Sequence, residues 1–186
     1  MNRFQQAYGQ FDFLFYEIKL VVNRRWWRWL TCWWRGSTGV LISYRLDRAG
    51  YLFFWPLWPA IRILFLPLFI LIQLISFPHE IHYKAQVGRG LKILHPTLGV
   101  VVSGQAIVGE HLTLTGGNCI GLRSNITGSS FHIGNYVELG ANAVILGPVR
   151  IGNHVQVGAG AVVISDYEDD DTVLIGVPAR PFINQL

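Results

Sequence analysis

The chain is 186 residues long, which allows one domain of ordinary size and an additional segment. Its composition of 51% hydrophobic and 14% charged residues excludes an intrinsically disordered protein. The net charge of +4 divides unevenly, because residues 1–62 hold nine Lys and Arg against three acids, whereas residues 63–186 hold six against eight. Two regions of different character are therefore predicted. The two cysteines, Cys32 and Cys119, lack the number and spacing of a disulfide framework or a metal site.

Residues 1–78 are predicted to form a helical region that associates with a membrane. The stretch RRWWRWLTCWWR at 24–35 alternates guanidinium groups, which favour anionic headgroups, with indoles, which favour the bilayer interface. Residues 51–77 carry one charge, on Arg62, but prolines limit the last apolar run to about ten residues, and a spanning helix needs roughly 20. Short helices lying in the membrane face fit this pattern. Helices packed within an oligomer and a kinked span or hairpin are the alternatives.

The predicted location is cytoplasmic, at the inner face of the cell membrane. The first residues, MNRFQQAYGQFDF, lack the apolar core and the cleavage site of a signal peptide. Interleaved Trp and Arg also bind nucleic acids, but no nucleic-acid-binding fold is indicated, so we expect no such partner.

From residue 131 the sequence repeats with a period of six, as FHIGNY, VELGAN, AVILGP, VRIGNH, VQVGAG and AVVISD. Such self-similarity is typical of a solenoid. Each hexad holds a short extended segment and a turn, so three hexads close a triangular coil of about 18 residues with its aliphatic column pointing inward. A β-sandwich would need turn signals roughly every 8–12 residues, and the sequence lacks them. The aliphatic column comprises Ile81, Val87, Ile93, Val102, Val108, Leu114, Ile120, Ile133, Leu139, Ile145, Ile151, Val157 and Val163.

The register of six breaks in two places, and interruptions of a regular wall are where functional sites are expected. Nine residues separate Ile93 from Val102 in place of a multiple of six, and they contain His95 in the segment ILHPTLG. Thirteen residues separate Ile120 from Ile133 in place of twelve. They contain the small polar segment GLRSNITGSS at 121–130, which is predicted to protrude from a corner as a loop.

The stretch IHYKAQVGRGLKILHPTLGVVV and the ending GVPARP at 176–181 resemble the serine acetyltransferases of the hexapeptide-repeat acyltransferase superfamily. The spacing after His95 and the stretch VELGANAVILG are more similar to the colanic-acid type of O-acetyltransferase, which acts in bacterial exopolysaccharide synthesis. The resemblance covers residues 80–186. It implies a mainly β fold, with a left-handed parallel β-helix at 79–186, a homotrimer, and acetyl-CoA as the acetyl donor.

The resemblance also assigns roles to two residues near the first break. In serine acetyltransferases an acidic residue lies fifteen positions before the catalytic histidine, and Glu80 holds that place relative to His95. His95 is then expected to be the general base that takes a proton from an acceptor hydroxyl, since imidazole titrates near neutral pH. Glu80 is expected to orient the imidazole. The hydroxyl would attack the thioester directly, while a backbone N–H holds the oxyanion.

In this superfamily the pantetheine arm of coenzyme A runs between neighbouring coils of a trimer and touches small residues on successive rungs. The turns of the coil alone would also select such residues. Arg180, in the ending, is the candidate for contact with a nucleotide phosphate. The small residues that the resemblance implies for coenzyme binding are Gly121, Gly140, Ala141, Gly158 and Ala159.

Two departures from the serine acetyltransferases concern the acceptor. Those enzymes carry an aspartate directly before the histidine, where this chain has Leu94. Their protruding loop supplies a second histidine at a place that aligns near Ser130, and His132 lies two residues later. A sugar hydroxyl on a polysaccharide or its lipid-linked precursor is therefore favoured over serine. The candidate acceptor-binding residues are Ser130, His132 and Arg123.

Three other functions stay open on the sequence alone. A serine O-acetyltransferase would use the same site with a small acceptor. A zinc-binding lyase would use His79 and His82, which flank Glu80, because the related γ-type carbonic anhydrases bind zinc through histidines on a β-helix. A non-catalytic β-helix scaffold is the third. For the acetyltransferase no metal is expected.

Overall fold

A computed structural model describes residues 2–23, 27–31, 36–75, 79–123 and 131–182. Within these ranges five helices come first in the chain, and short strands follow them. The helices are α1 (Arg3–Val22), α2 (Arg28–Thr31), α3 (Gly36–Phe54), α4 (Trp58–Leu64) and α5 (Leu66–Ile75). The first turn of α1 is capped by Asn2, whose side chain accepts a hydrogen bond from the Gln5 N–H at 3.1 Å.

The strands are two to five residues long, because each covers only one side of a small coil. In chain order they are β1 (His79–Ile81), β2 (Gln86–Val87), β3 (Lys92–Ile93), β4 (Val100–Val102), β5 (Ala106–Val108), β6 (Thr113–Leu114), β7 (Asn118–Leu122), β8 (Phe131–Ile133), β9 (Glu138–Leu139), β10 (Val144–Gly147), β11 (Arg150–Ile151), β12 (Gln156–Val157), β13 (Val162–Val163), β14 (Val173–Ile175) and β15 (Arg180–Pro181).

The strands wind into a β-helix with three faces, each of which is a parallel sheet. Sheet A has the order β1-β4-β7-β10-β13, sheet B has β11-β8-β5-β2, and sheet C has β14-β12-β9-β6-β3 with β15 added antiparallel to β14. A regular coil is 18 residues long, as the pairing of Val102 with Ile120 in sheet A shows. The predicted left-handed parallel β-helix, preceded by helices, is confirmed.

The predicted aliphatic column forms the core of the β-helix. Each of its thirteen residues is buried, with at most 7% of its surface exposed. Ile120, for example, lies between Val102 of the coil before and Ile145 of the coil after. Burial of one such side chain contributes about 2 kcal/mol, so the stacked copies together offset the entropy lost when the coil becomes ordered.

The two breaks in the register differ in size. β1 pairs with β4 so that Ile81 lies opposite Val102, 21 residues later, and the first break therefore adds three residues to a coil, as predicted. The prediction that the second break replaces twelve residues is wrong. Ile120 belongs to sheet A and Ile133 to sheet B, the next face of the coil, so the thirteen residues replace six and leave seven extra.

Helices α1 and α3 close the N-terminal end of the β-helix. Glu17 of α1 and Arg45 of α3 form a fully buried ion pair. Arg45 also donates to the carbonyls of Val87 at 2.8 Å and Gly88 at 2.7 Å, and Glu17 accepts from two N–H groups of the turn after β2. The pair thus satisfies backbone groups that the open end of a solenoid would leave without partners.

The helical region therefore includes a part that packs on the first coil, and this cap is not predicted from the sequence. Tyr44 of α3 adds a hydrogen bond from its hydroxyl to the Ala85 carbonyl at 2.9 Å. Of the helices that the structure describes, none combines the length and the apolar character that crossing a bilayer requires. The division of the chain between residues 78 and 79 stays a prediction, since residues 76–78 lie outside the described ranges.

Candidate active site

The turns that lead from sheet C to sheet A form one corner of the β-helix, here called the C–A corner. They are residues 94–99, 115–117, 140–143 and 158–161. We call these four turns, in chain order, the first to fourth levels of the corner. Backbone hydrogen bonds join successive levels, including one from the Asn142 N–H to the Gly116 carbonyl at 2.9 Å and one from the Gly160 N–H to the Ala141 carbonyl at 2.9 Å. These bonds hold the four turns in one column along the β-helix axis.

His95 lies on the first level of the C–A corner, within the three-residue insertion. Its N–H donates to the Thr115 carbonyl at 2.8 Å, and a short 3₁₀ turn at Pro96–Leu98 follows it. The imidazole is exposed. The insertion therefore fixes the backbone of His95 while its side chain faces away from the apolar core.

Gly116 lets the next level approach His95 closely. Its φ of +136° disfavours side-chain-bearing residues, and a Cβ at this position would collide with the His95 carbonyl oxygen. This positioning role of Gly116 was not among the predicted site residues. The glycine pair Gly116–Gly117, which begins two residues after the core Leu114, was the signal in the sequence.

Asn118 is a second positioning residue, and it was not among the predicted site residues. It is 2% exposed in an inward column that is otherwise apolar. Its Oδ1 accepts from the Gly116 N–H at 2.8 Å, and its Nδ2 donates to the Gly140 carbonyl at 2.7 Å. One buried amide therefore ties the second and third levels of the C–A corner together.

Glu80 lies on β1, on the outer face of sheet A, and is exposed. It pairs in register with Val101 of β4, which His95 precedes by six residues. In the described parts of the chain, no hydrogen bond or ion pair joins the Glu80 and His95 side chains. The structure thus brings both residues to the first coil without forming the predicted contact.

Four of the predicted coenzyme-binding residues, Gly140, Ala141, Gly158 and Ala159, lie in the C–A corner beyond His95. Packing accounts for Gly140, because a Cβ there would come within 2.6 Å of the Ala159 nitrogen. A Cβ at Gly158 would lie 3.0 Å from Ile175 Cγ2, so the Ile175 side chain would have to move slightly. Beyond its first level, which holds the exposed Leu94 and Leu98, the corner is therefore lined mainly by small residues, and the stacking of the coils is one reason for them.

The other two predicted coenzyme-binding residues lie elsewhere. Gly121 is on β7, towards the opposite edge of sheet A, where a Cβ would meet only Cys119 Sγ at 3.4 Å and Leu146 Cδ2 at 3.9 Å. Packing does not explain this glycine. Arg180 is exposed on β15 and donates to the Tyr167 hydroxyl at 3.1 Å, close to the C-terminal end of the β-helix.

Two of the predicted acceptor residues, Arg123 and His132, flank the connection from sheet A to sheet B. Arg123 follows β7 and is exposed, and its N–H donates to the Gly147 carbonyl at 3.1 Å. His132 is exposed on β8 and pairs in register with Arg150. Ser130 lies outside the described residues. The width of sheet A, roughly 15 Å for five residues, separates this group from His95 within one chain.

The outer face of sheet A, between these two corners, is mostly apolar. In register it carries Glu80, Val101, Cys119, Val144 and Val162. Partial burial raises the pKa of the Cys119 thiol. The corresponding columns are more polar on sheet B, with Gln86, Ile107, His132 and Arg150, and on sheet C, with Lys92, Thr113, Glu138, Gln156 and Val173. Sheet A is thus the face of the β-helix best suited to contact another protein surface.

The histidines beside Glu80 have other contacts. The Nδ1 atom of His82 accepts a hydrogen bond from the Lys84 N–H at 3.1 Å, and its ring stacks on Tyr83 with 4.4 Å between centroids. Burial lowers the pKa of His82, and the nearby Lys84 adds to this shift. In the described ranges, no group of three His, Cys, Asp or Glu side chains is placed to hold a metal ion.

The repeats match a known family at the level of sequence. Residues 132–165 match the model of the bacterial transferase hexapeptide, six repeats. The resemblance to hexapeptide acyltransferases is confirmed. The matched residues run from β8 to just beyond β13.

One curated relative matches part of the hexapeptide-repeat chain. WcaB of Escherichia coli (strain K12), named as a colanic acid biosynthesis acetyltransferase, is 39% identical over 86 residues. The match covers 45% of this chain and 52% of WcaB. The chain therefore spans about half the length of this relative.

Two solved structures resemble a larger part of the chain. The crystal structure of serine acetyltransferase from Neisseria gonorrhoeae has a TM-score of 0.74 and 26% identity, covering 98% of this chain and 69% of that one. Soybean serine acetyltransferase has a TM-score of 0.62 and 31% identity, covering 77% and 57%. Because the first match covers nearly the whole chain, the likeness includes the helices as well as the β-helix.

Proposed function

We propose that this protein is an acetyl-CoA-dependent O-acetyltransferase whose acceptor is a sugar hydroxyl. The observation that carries the proposal is the position of His95, an exposed imidazole on the first level of a corner lined by small residues. An extended thioester ligand fits such a corner, because backbone atoms can approach it closely where side chains are small. The acetyltransferases among the relatives support the same reaction class.

His95 acts as the general base in this proposal. Its imidazole takes the proton from the acceptor hydroxyl while the hydroxyl oxygen forms a bond to the acetyl carbon. The carbon–sulfur bond then breaks, and the imidazolium returns the proton to the leaving thiolate. Glu80, on the same coil, is the candidate for stabilising the charged imidazole once ligands are bound, since hydrogen bonds of catalytic residues often tighten only in the complex.

A saccharide is proposed as acceptor because the residues differ from those of a serine site. Leu94 stands where serine acetyltransferases have an aspartate, and His132 follows at a shifted position. The name of WcaB points in the same direction. Serine is the second candidate, favoured by the fold likeness to serine acetyltransferases. The proposed location is the cytoplasmic face of the bacterial cell membrane, where precursors of surface polysaccharide are assembled.

A trimer is proposed because the candidate residues of one chain lie on two edges of sheet A. His95 lies at the C–A corner, whereas Arg123 lies at the corner between sheets A and B, and His132 lies just beyond that corner on β8 of sheet B. If the apolar outer faces of sheet A meet around a threefold axis, the C–A corner of one copy comes beside the other corner of its neighbour. One copy would then provide the base and the next would provide the acceptor contacts.

A thiol-release assay with acetyl-CoA and a panel of saccharides and serine tests the proposal. We expect His95→Ala to lower kcat by a factor of about 10²–10⁴, the usual contribution of a general base, with an unchanged circular dichroism spectrum. His154→Ala is the matched control, because this exposed imidazole lies on another corner and stacks on Tyr136. Full activity of His95→Ala would show that His95 is not the general base. A turnover of serine above that of every saccharide would show that serine, and not a sugar, is the acceptor.

A further inference from the structure

Helices α4 and α5 expose an extensive apolar surface. Four consecutive residues, Ile63, Leu64, Phe65 and Leu66, are 73%, 76%, 47% and 51% exposed. On α5 the exposed residues continue with Leu68, Ile70 and Leu71. Soluble monomers rarely expose apolar patches of this continuity, and such a patch marks an interaction surface. We call residues 63–68, 70 and 71 the apolar face.

The apolar face is held in place by contacts within the helical region. The Trp58 indole of α4 packs against Gly50 of α3, where any Cβ would collide with the ring. Its Nε1 donates to Asp47 Oδ1 at 2.8 Å, and Arg62 pairs with Asp47 Oδ2 at 3.1 Å. These contacts bury one side of α4 and turn Ile63 and Leu64 outward. The exposure is therefore a consequence of a defined packing arrangement.

The distribution of exposed apolar side chains around α5 distinguishes a protein partner from a lipid partner. At 3.6 residues per turn, Leu66, Leu68, Ile70 and Leu71 spread over about 200° of the helix circumference. A helix that docks on one protein surface buries a stripe of roughly 100°. Lipid acyl chains surround the embedded part of a helix from several sides, so this wide distribution favours a lipid phase over a second protein.

Charge complementarity favours an anionic lipid surface. Residues 1–62 hold nine Lys and Arg against three acids. The two buried acids, Glu17 and Asp47, are matched in number by the buried Arg45 and Arg48. Asp12 is the exposed acid of the helical residues that the structure describes. In the connection between α3 and α4, the Arg3 guanidinium lies 4.5 Å from the centroid of the exposed Trp55 ring. Paired indole and guanidinium groups suit the headgroup layer.

We propose that the apolar face inserts into one leaflet of an anionic bilayer and attaches the protein to the membrane surface. α1 and α3 remain on the β-helix as its cap, and α4 and α5 form the anchor. The consequence for catalysis, delivery of an acceptor carried on a lipid to His95, rests on the proposed function. The anchoring itself requires only the surface described above.

Flotation with vesicles of phosphatidylcholine, with and without phosphatidylglycerol, tests the anchor. We expect the wild-type protein to float with the anionic vesicles and Phe65→Glu to partition about tenfold less or worse, since a charge enters the apolar face. Phe182→Glu is the matched control, because Phe182 is similarly exposed (54%, against 47% for Phe65) but lies at the other end of the chain, after β15. This control is expected to float like the wild type.

Two further measurements keep the outcome decisive. Leu68→Glu serves as a second variant, and thiol release with a soluble acceptor shows whether each variant is folded and active without lipid. Failure of the wild type to float, or wild-type flotation of both variants, overturns the anchor. A wild type that stays off vesicles, with variants that lose oligomeric mass in lipid-free buffer, assigns the face to a second copy instead. If the wild type, the variants and the control all lack acetyl transfer to the soluble acceptor, the proposed function is contradicted, and the anchor is still decided by flotation.

Discussion

Two glycines that the resemblance assigns to coenzyme binding differ in the space beside them. A Cβ at Gly140 would lie 2.6 Å from the Ala159 nitrogen, whereas at Gly121 the nearest atom would be Cys119 Sγ at 3.4 Å. We expect Gly140→Ala to lower the free energy of unfolding by about 1–3 kcal/mol through overpacking. We expect Gly121→Ala to change it by less than about 0.5 kcal/mol. Urea denaturation of both variants measures the difference.

Gly121→Ala also tests a ligand contact, because the fold does not need a glycine there. If the pantetheine arm passes over Gly121, the added methyl group should raise the KM for acetyl-CoA about tenfold, which corresponds to about 1.4 kcal/mol of binding. A wild-type KM in this stable variant would take Gly121 out of the coenzyme site. Wild-type stability of Gly140→Ala would instead mean that the corner yields to a methyl group.

At the residue scale, the sequence predicts the buried positions of the six-residue repeat well, but it predicts few of the residues that depart from the repeat. All thirteen positions of the aliphatic column are in the core, because a period of six leaves only one way to bury them. Asn118 occupies an inward position that the pattern assigns to an apolar residue. Its side chain stabilises the corner through hydrogen bonds to the Gly116 N–H and to the Gly140 carbonyl of the next coil. Such long-range partners are invisible without the coil geometry.

At the element scale, the buried pair Glu17–Arg45 joins α1 and α3 to the first coil. We expect Arg45→Met to cost about 3–5 kcal/mol of unfolding free energy, since it leaves the Glu17 charge buried without its partner. The double variant Glu17→Leu/Arg45→Met should recover part of this loss, because the uncompensated charge is gone. Denaturant titration gives both values.

Arg89→Met provides the control for this element-scale prediction. Arg89 is exposed, with its guanidinium 4.5 Å from the Tyr16 ring centroid, and its loss should cost less than about 1 kcal/mol. An Arg45→Met protein as stable as Arg89→Met would mean that packing of the helices, without the ion pair, holds the cap in place.

The presence of helices and strands is predicted from the local sequence pattern better than the surfaces against which they pack. Helices were expected in residues 1–78, but an apolar helix face looks the same in sequence whether it meets a coil or a lipid, so the α1–α3 cap was missed. The second break was misjudged for a similar reason. Ile126 stands six residues after Ile120 and mimics a rung in the sequence, whereas the strand pairing places a single corner between Ile120 and Ile133.

At the scale of the whole molecule, the six-residue period predicts which residues face outward. It does not predict where these outward columns lie relative to the candidate site. Which corner carries His95 and which carries Arg123 follows only from the assignment of each strand to a face. Once those faces are known, the apolar column of sheet A is seen to lie between the two halves of the candidate site. Assembly and catalysis are then predicted to depend on the same surface.

Val144→Glu tests that dependence. Val144 lies at the centre of the outer face of sheet A, between Cys119 and Val162, and in a trimer three copies of the new carboxylate would be desolvated near one axis. Because an unpaired buried charge costs several kcal/mol, we expect sedimentation to show single chains of 21.0 kDa in place of the assembly, with acetyl transfer lowered by about a hundredfold or more. Val173→Glu, the same substitution on the outer face of sheet C, should keep both mass and activity, because Val173 pairs with Gln156 and lies away from sheet A. An active Val144→Glu monomer would mean that one chain completes its own site, and a fully assembled but inactive Val144→Glu protein would move the interface to another face of the β-helix.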